Sequence, residues 1–82
     1  MPYEIRYHPE VRKVLARLDA PTHRRILEAI DTLKESPYRG RKLRGVGVGQ
    51  WRLRVGPYRI RYDIAEDAVF ILRIGHRREV YR

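Results

Sequence analysis

Between Trp51 and Ile74 the chain alternates, and the alternation leaves it few folds to choose from. Trp51, Leu53 and Val55 occupy every second position of one run. Tyr58, Ile60, Tyr62 and Ile64 do so in a second run, and Ala68, Phe70, Leu72 and Ile74 in a third. A period of two sends successive side chains to opposite sides of a strand. Gly56-Pro57 and Glu66-Asp67 punctuate the runs as turn signals, although Pro57 is unusual in a tight hairpin. Three successive strands, each with one apolar face, need something to cover that face.

The first half of the chain supplies the cover. Tyr3, Ile5 and Tyr7 alternate with Glu4, Arg6 and His8 as one more half-buried strand. Pro9 suits a first helical position, where its missing N–H costs nothing. Val11, Val14, Leu15 and Leu18 then form one helical stripe. Asp19 is placed to cap a second helix, whose stripe is Ile26, Ala29, Ile30 and Leu33 and which ends at Ser36-Pro37. The short link predicts a helical hairpin. Residues 36–47, SPYRGRKLRGVG, read as a cationic loop without a nucleotide-binding fingerprint, its glycines serving as turn residues. The expected class is α+β: a small, mostly antiparallel four-stranded sheet with a two-helix hairpin on one face, in the order β-α-α-β-β-β. At 82 residues and 9.9 kDa, residues 1–82 are expected to form a single domain.

Charge then separates the two faces of that sheet. The chain has a net charge of +9, and sixteen of its nineteen cations are arginine, a planar and permanently charged group that grips phosphate through paired hydrogen bonds. Residues 42–82 carry a net +6 and residues 1–41 a net +3. If the helices cover the apolar face, Arg52, Arg54, Arg59, Arg61 and Arg73 point to the other, and Val69 and Ile71 are expected to share it. A two-residue turn at Gly56-Pro57 sets Arg54 opposite Arg59 and Arg52 opposite Arg61. Like charges directly opposite across a ladder destabilise it, so this face reads as an anion-binding surface rather than a merely solvated one. The absence of cysteine removes thiolate chemistry, and three scattered histidines give no ligand spacing, so neither metal nor cofactor is expected. No run is apolar for the roughly 20 residues that span a bilayer, and MPYEIRYHPE lacks a signal-peptide core, so a soluble, cytoplasmic protein is expected. The terminal segment Gly75-His76-Arg77-Arg78-Glu79-Val80-Tyr81-Arg82 reads, on its residues alone, as a frayed tail or as an aromatic packed on the core edge.

The stretch Trp51-Arg52-Leu53-Arg54-Val55-Gly56-Pro57-Tyr58-Arg59-Ile60-Arg61-Tyr62, followed by Ile74-Gly75-His76-Arg77-Arg78-Glu79-Val80-Tyr81, resembles the RelE branch of the RelE/ParE toxin superfamily of type II toxin–antitoxin modules. The resemblance covers nearly the whole chain. It implies ribosome-dependent, metal-independent cleavage of messenger RNA, inhibition of translation and neutralisation by a cognate RelB-like antitoxin, with operator DNA contacted only through the toxin–antitoxin complex. It also implies catalytic roles for Arg59, Arg77 and Tyr81, and places the two basic residues of the preceding strand at Arg52 and Arg54. Arg61, Arg73, His76, Arg78, Lys42 and Arg44 complete the surface expected to hold RNA phosphate. The alternative within the superfamily is a ParE-like toxin that inhibits DNA gyrase by binding alone.

Such chemistry activates the ribose 2′-hydroxyl, stabilises a pentavalent phosphorane and protonates the departing 5′-oxygen. Arginines suit the second task, with a fixed charge contributing on the order of 3 kcal/mol. Tyr81 is the candidate general base, its phenol brought down from a pKa near 10 by neighbouring cations. Arg52 and Arg54 stand where the best-known member has lysines, and a guanidinium does not give up a proton, which leaves His76, water or purely electrostatic stabilisation for the leaving oxygen.

Overall fold

The computed structural model of the chain describes residues 2–76. Strand β1 (Glu4–Tyr7) leads into α1 (Pro9–Arg17) and α2 (Ala20–Asp31). Two single 3-10 turns, Thr32–Lys34 and Pro37–Arg39, lead to the short strand β2 (Arg41–Lys42), and then come β3 (Trp51–Val55), β4 (Tyr58–Ala65) and β5 (Ala68–His76). Each helix starts where its cap chemistry allows. Pro9 opens α1 while the His8 ring Nδ1 accepts from the Glu10 N–H at 3.1 Å. Asp19 caps α2, its carboxylate accepting from the Thr22 N–H at 3.1 Å and the Thr22 hydroxyl at 2.7 Å.

The sheet has five strands in the order β1-β5-β4-β3-β2, with β1 parallel to β5 and the remaining pairs antiparallel. The expected four strands are therefore joined by Arg41–Lys42, a pairing too short to leave a periodic trace in sequence. The Gly56-Pro57 turn also finds its explanation. Gly56 takes a φ of +58°, and proline's fixed φ near −65° suits the second position of a type II′ turn, which matches strand twist.

The core gathers Val11 and Leu15 of α1, Ile26 and Ile30 of α2, and Leu33 against Leu53, Ile60, Tyr62, Val69, Ile71 and Ile74 of the sheet. This corrects the expected face of β5. Val69 and Ile71 are wholly buried beneath the helices instead of lying among the arginines. The cause is an irregularity in the β4–β5 ladder: Arg61 pairs with Arg73, yet Tyr62 pairs with Ile71, so Leu72 is an extra residue. One inserted residue exchanges the two faces of everything beyond it. Ile74 remains beside Ile60, while Phe70 is carried round to pair with Asp63 and Arg6 on the far side.

Tyr62 anchors the segment that follows the helices. Its hydroxyl donates to the Pro37 carbonyl at 2.9 Å and accepts from the Gly40 N–H at 3.0 Å, and its ring stacks on Trp51 with centroids 6.2 Å apart. Gly40 is required by close approach rather than by its φ of −72°, because a Cβ there would stand 2.6 Å from the Arg52 carbonyl oxygen. Burial pushes the phenols of Tyr62 and Tyr7 above their usual range, against a smaller lowering of Tyr62 by the Gly40 N–H. The ion pair with Asp31 likewise raises Lys34. Groups whose folded pKa is raised stabilise fully below their unfolded pKa and lose that contribution as pH rises. The urea midpoint is accordingly expected to hold to about pH 10 and fall above it. Tyr62→Phe should lessen the fall, and a midpoint flat through that range would contradict the assignment.

Candidate nucleic-acid interface

The face away from the helices is built by register. In β3 and β4, Trp51–Tyr62, Leu53–Ile60 and Val55–Tyr58 pair toward the core, which obliges the intervening pairs Arg52–Arg61 and Arg54–Arg59 to point outward. Both arginine pairs fall where alternation and the turn predict. Arg73 continues the first row through its pairing with Arg61, and Arg41 begins it through its pairing with Arg52. Four arginines on four adjacent strands, Arg41, Arg52, Arg61 and Arg73, thus cross the sheet at steps of about 4.8 Å. Arg41 was missed from sequence because it sits in what reads as a loop.

The second row is shorter and more enclosed. Arg54 is exposed, whereas Arg59 is only 3% exposed. Gly75, in register with Arg59 on its other side, brings no side chain to this face. A guanidinium held in such a setting acts through a low local dielectric, where its field on a phosphoryl oxygen is little screened. Arg54→Glu replaces a like-charge pair with an attractive one. It is expected to raise stability by about 0.5–1 kcal/mol while weakening the grip on polyanions. Thermal melting and retention on a heparin column check the two halves, and a fall in melting temperature would contradict the pairing.

Two expected members of the surface stand elsewhere. His76 pairs with Tyr58 on the helix side, their rings edge-on at 5.5 Å, and with Val14, Leu18 and Ile74 it lines a hollow there. Lys42 pairs with Trp51 and so faces the helix side as well, next to the loop that carries Arg44. Arg61 keeps its place in the row, with its guanidinium turned onto the carbonyls of Gly49 at 2.6 Å and Val48 at 3.3 Å. Arg77, Arg78 and Tyr81 lie outside the described residues. The structure therefore brings together Arg52, Arg54, Arg59, Arg61 and Arg73, adds Arg41, and separates His76 and Lys42 from them.

Known proteins resemble this chain along nearly its whole length. The family model described as ParE toxin of type II toxin–antitoxin system, parDE, matches residues 5–81. Toxin RelG of Mycobacterium tuberculosis is 35% identical over 86 residues, covering 100% of this chain and 99% of its own. Among solved structures, the archaeal RelE–RelB complex from Pyrococcus horikoshii aligns with a TM-score of 0.81 at 30% identity, covering 96% of this chain and 99% of the other. The toxin–antitoxin complex RelBE2 of Mycobacterium tuberculosis aligns with a TM-score of 0.82 at 31% identity, covering 93% and 99%. With family match, full-length relative and fold in agreement, the chain belongs to the RelE/ParE superfamily of toxins from type II toxin–antitoxin systems.

Proposed function

We propose that this toxin is a ribosome-dependent, metal-independent messenger RNA endonuclease that inhibits translation in the cytoplasm and is neutralised by a RelB-like antitoxin. The observation that carries the reading is the paired arginines, Arg52–Arg61 and Arg54–Arg59, on the helix-free face. Like charges set opposite one another at two ladder positions make this face suited to an anion. An RNA backbone supplies such an anion.

In this reading the ribose 2′-oxygen attacks the adjacent phosphorus as its proton passes to the Tyr81 phenolate. A bond to the 2′-oxygen forms, the bond to the 5′-oxygen breaks, and a 2′,3′-cyclic phosphate remains. Arg59 and Arg77 oppose the charge that builds on the phosphoryl oxygens. Arg52 and Arg54, on the strand next to Arg59, serve as fixed cations for the departing 5′-oxygen, which takes its proton from water, since His76 stands on the opposite side of the sheet. The antitoxin reading draws on the relatives solved as RelE–RelB complexes.

Programmed ribosomes carrying a defined message test it. Purified toxin should cut the message in the decoding site with a metal chelator present, and Tyr81→Phe and Arg77→Ala should remove the cut. The match to a ParE description keeps gyrase inhibition as the second reading. That reading predicts an intact message, inhibited supercoiling and indifference to Tyr81→Phe.

A further inference from the structure

Two outward-facing side chains of β4 hold the neighbouring loop, residues 43–50, in place. The Asp63 carboxylate accepts from the Gly49 N–H at 3.0 Å and the Gln50 N–H at 2.6 Å. The Arg61 guanidinium, two residues earlier on the same face, donates to the Gly49 and Val48 carbonyls. Gly49 is thereby held at both ends, its N–H by an anion and its C=O by a cation. The Leu43 N–H donates to the Gln50 carbonyl at 2.7 Å and closes the neck of the loop. A segment with Gly45, Gly47 and Gly49 has little stiffness of its own, and Gly45 and Gly49 sit at φ of +73° and +65°. Its shape is imposed from the sheet.

That shape is concave. The loop borders an open hollow of about 490 Å³ lined by Lys42, Leu43, Arg44, Gly45, Val46 and Gln50. Two cations and an amide face the space, with no acid among the lining residues. We propose that Asp63 and Arg61 are positioning residues that preform this loop as a second phosphate subsite at the β2 edge of the sheet, in which Lys42 and Arg44 hold RNA backbone that has passed beyond the arginine face. The inference rests on the RNA reading of the arginine face and extends it beyond that face.

Asp63 gives the proposal a distinctive sign. It is the only acid between Trp51 and Ala65, so simple electrostatics predicts that neutralising it tightens the hold on a polyanion. A positioning role predicts the reverse, because a loosened loop must be ordered again each time RNA binds.

The test measures binding of a short fluorescein-labelled single-stranded RNA to the purified full chain over a series of salt concentrations. Asp63→Asn is expected to weaken binding about tenfold, within the coupling range of residues sharing one network, with an unchanged salt slope because the same phosphates are contacted. Arg61→Lys keeps the charge but loses the fork onto two carbonyls, and should weaken binding similarly. In a Lys42→Ala/Arg44→Ala background Asp63→Asn should have no further effect, whereas a merely structural role would weaken binding equally in both backgrounds. Binding by Asp63→Asn as tight as wild type or tighter, or an undiminished loss in the double background, overturns the proposal alone. Failure of the wild-type chain to hold RNA even at low salt would instead overturn the RNA reading beneath it.

Discussion

Arg59→Ala is expected to slow message cleavage by about 10²–10³-fold, the cost of deleting one preorganised group that faces developing charge. The expectation comes from where the side chain sits. Arg59 is on β4, flanked on both sides by hydrogen-bonded strands, so its backbone is fixed before any substrate arrives. At 3% exposure it is largely withdrawn from solvent screening. The loss should fall on the rate of the chemical step more than on apparent affinity, because Arg52 and Arg54, proposed to hold the backbone, are left in place. Arg59→Lys is expected to recover only part of the rate, since an ammonium keeps the charge but not the planar fork. Single-turnover cleavage on programmed ribosomes separates these effects. An undiminished rate would remove Arg59 from the chemistry.

Tyr62→Ala is expected to leave the chain unfolded at 37 °C. Removing a fully buried aromatic costs about 3–5 kcal/mol, and each of its two hydroxyl hydrogen bonds adds about 1 kcal/mol. A domain of this size has about 4–12 kcal/mol of stability in total, so the substitution removes from about half to all of it. Tyr62→Phe isolates the hydroxyl. It keeps the stacking on Trp51 but leaves the Gly40 N–H and Pro37 carbonyl without their partner, at a cost of about 1–3 kcal/mol. Trp51 is the only tryptophan and lies against the Tyr62 ring, so its fluorescence during urea unfolding reports both variants. A midpoint for Tyr62→Phe equal to wild type would show that the Pro37–Gly40 segment does not depend on the hydroxyl.

Much of this architecture is written locally. Pro9 and Asp19 mark their helix starts by cap chemistry that needs no distant partner, and the Gly56-Pro57 turn fixes the register of Arg52–Arg61 and Arg54–Arg59. What lay beyond reading depends on the partner strand. Alternation in β5 is unbroken in the sequence, yet the ladder with β4 skips Leu72, and that one residue sends Val69 and Ile71 inward. The parallel pairing of β1 with β5 is equally silent, because a period of two carries no direction. The same limit governs the candidate site. Arg52, Arg54, Arg59, Arg61 and Arg73 were legible as a face. Arg41 was not, since a two-residue strand has no period, and His76 reads as part of the basic tail until its pairing with Tyr58 turns it to the helix side.

Mapping messenger RNA ends at nucleotide resolution after a brief pulse of expression tests the central claim most directly. The account predicts new ends confined to translated reading frames, appearing with wild-type toxin and absent with Arg59→Ala. Growth arrest with transcripts left whole would contradict it.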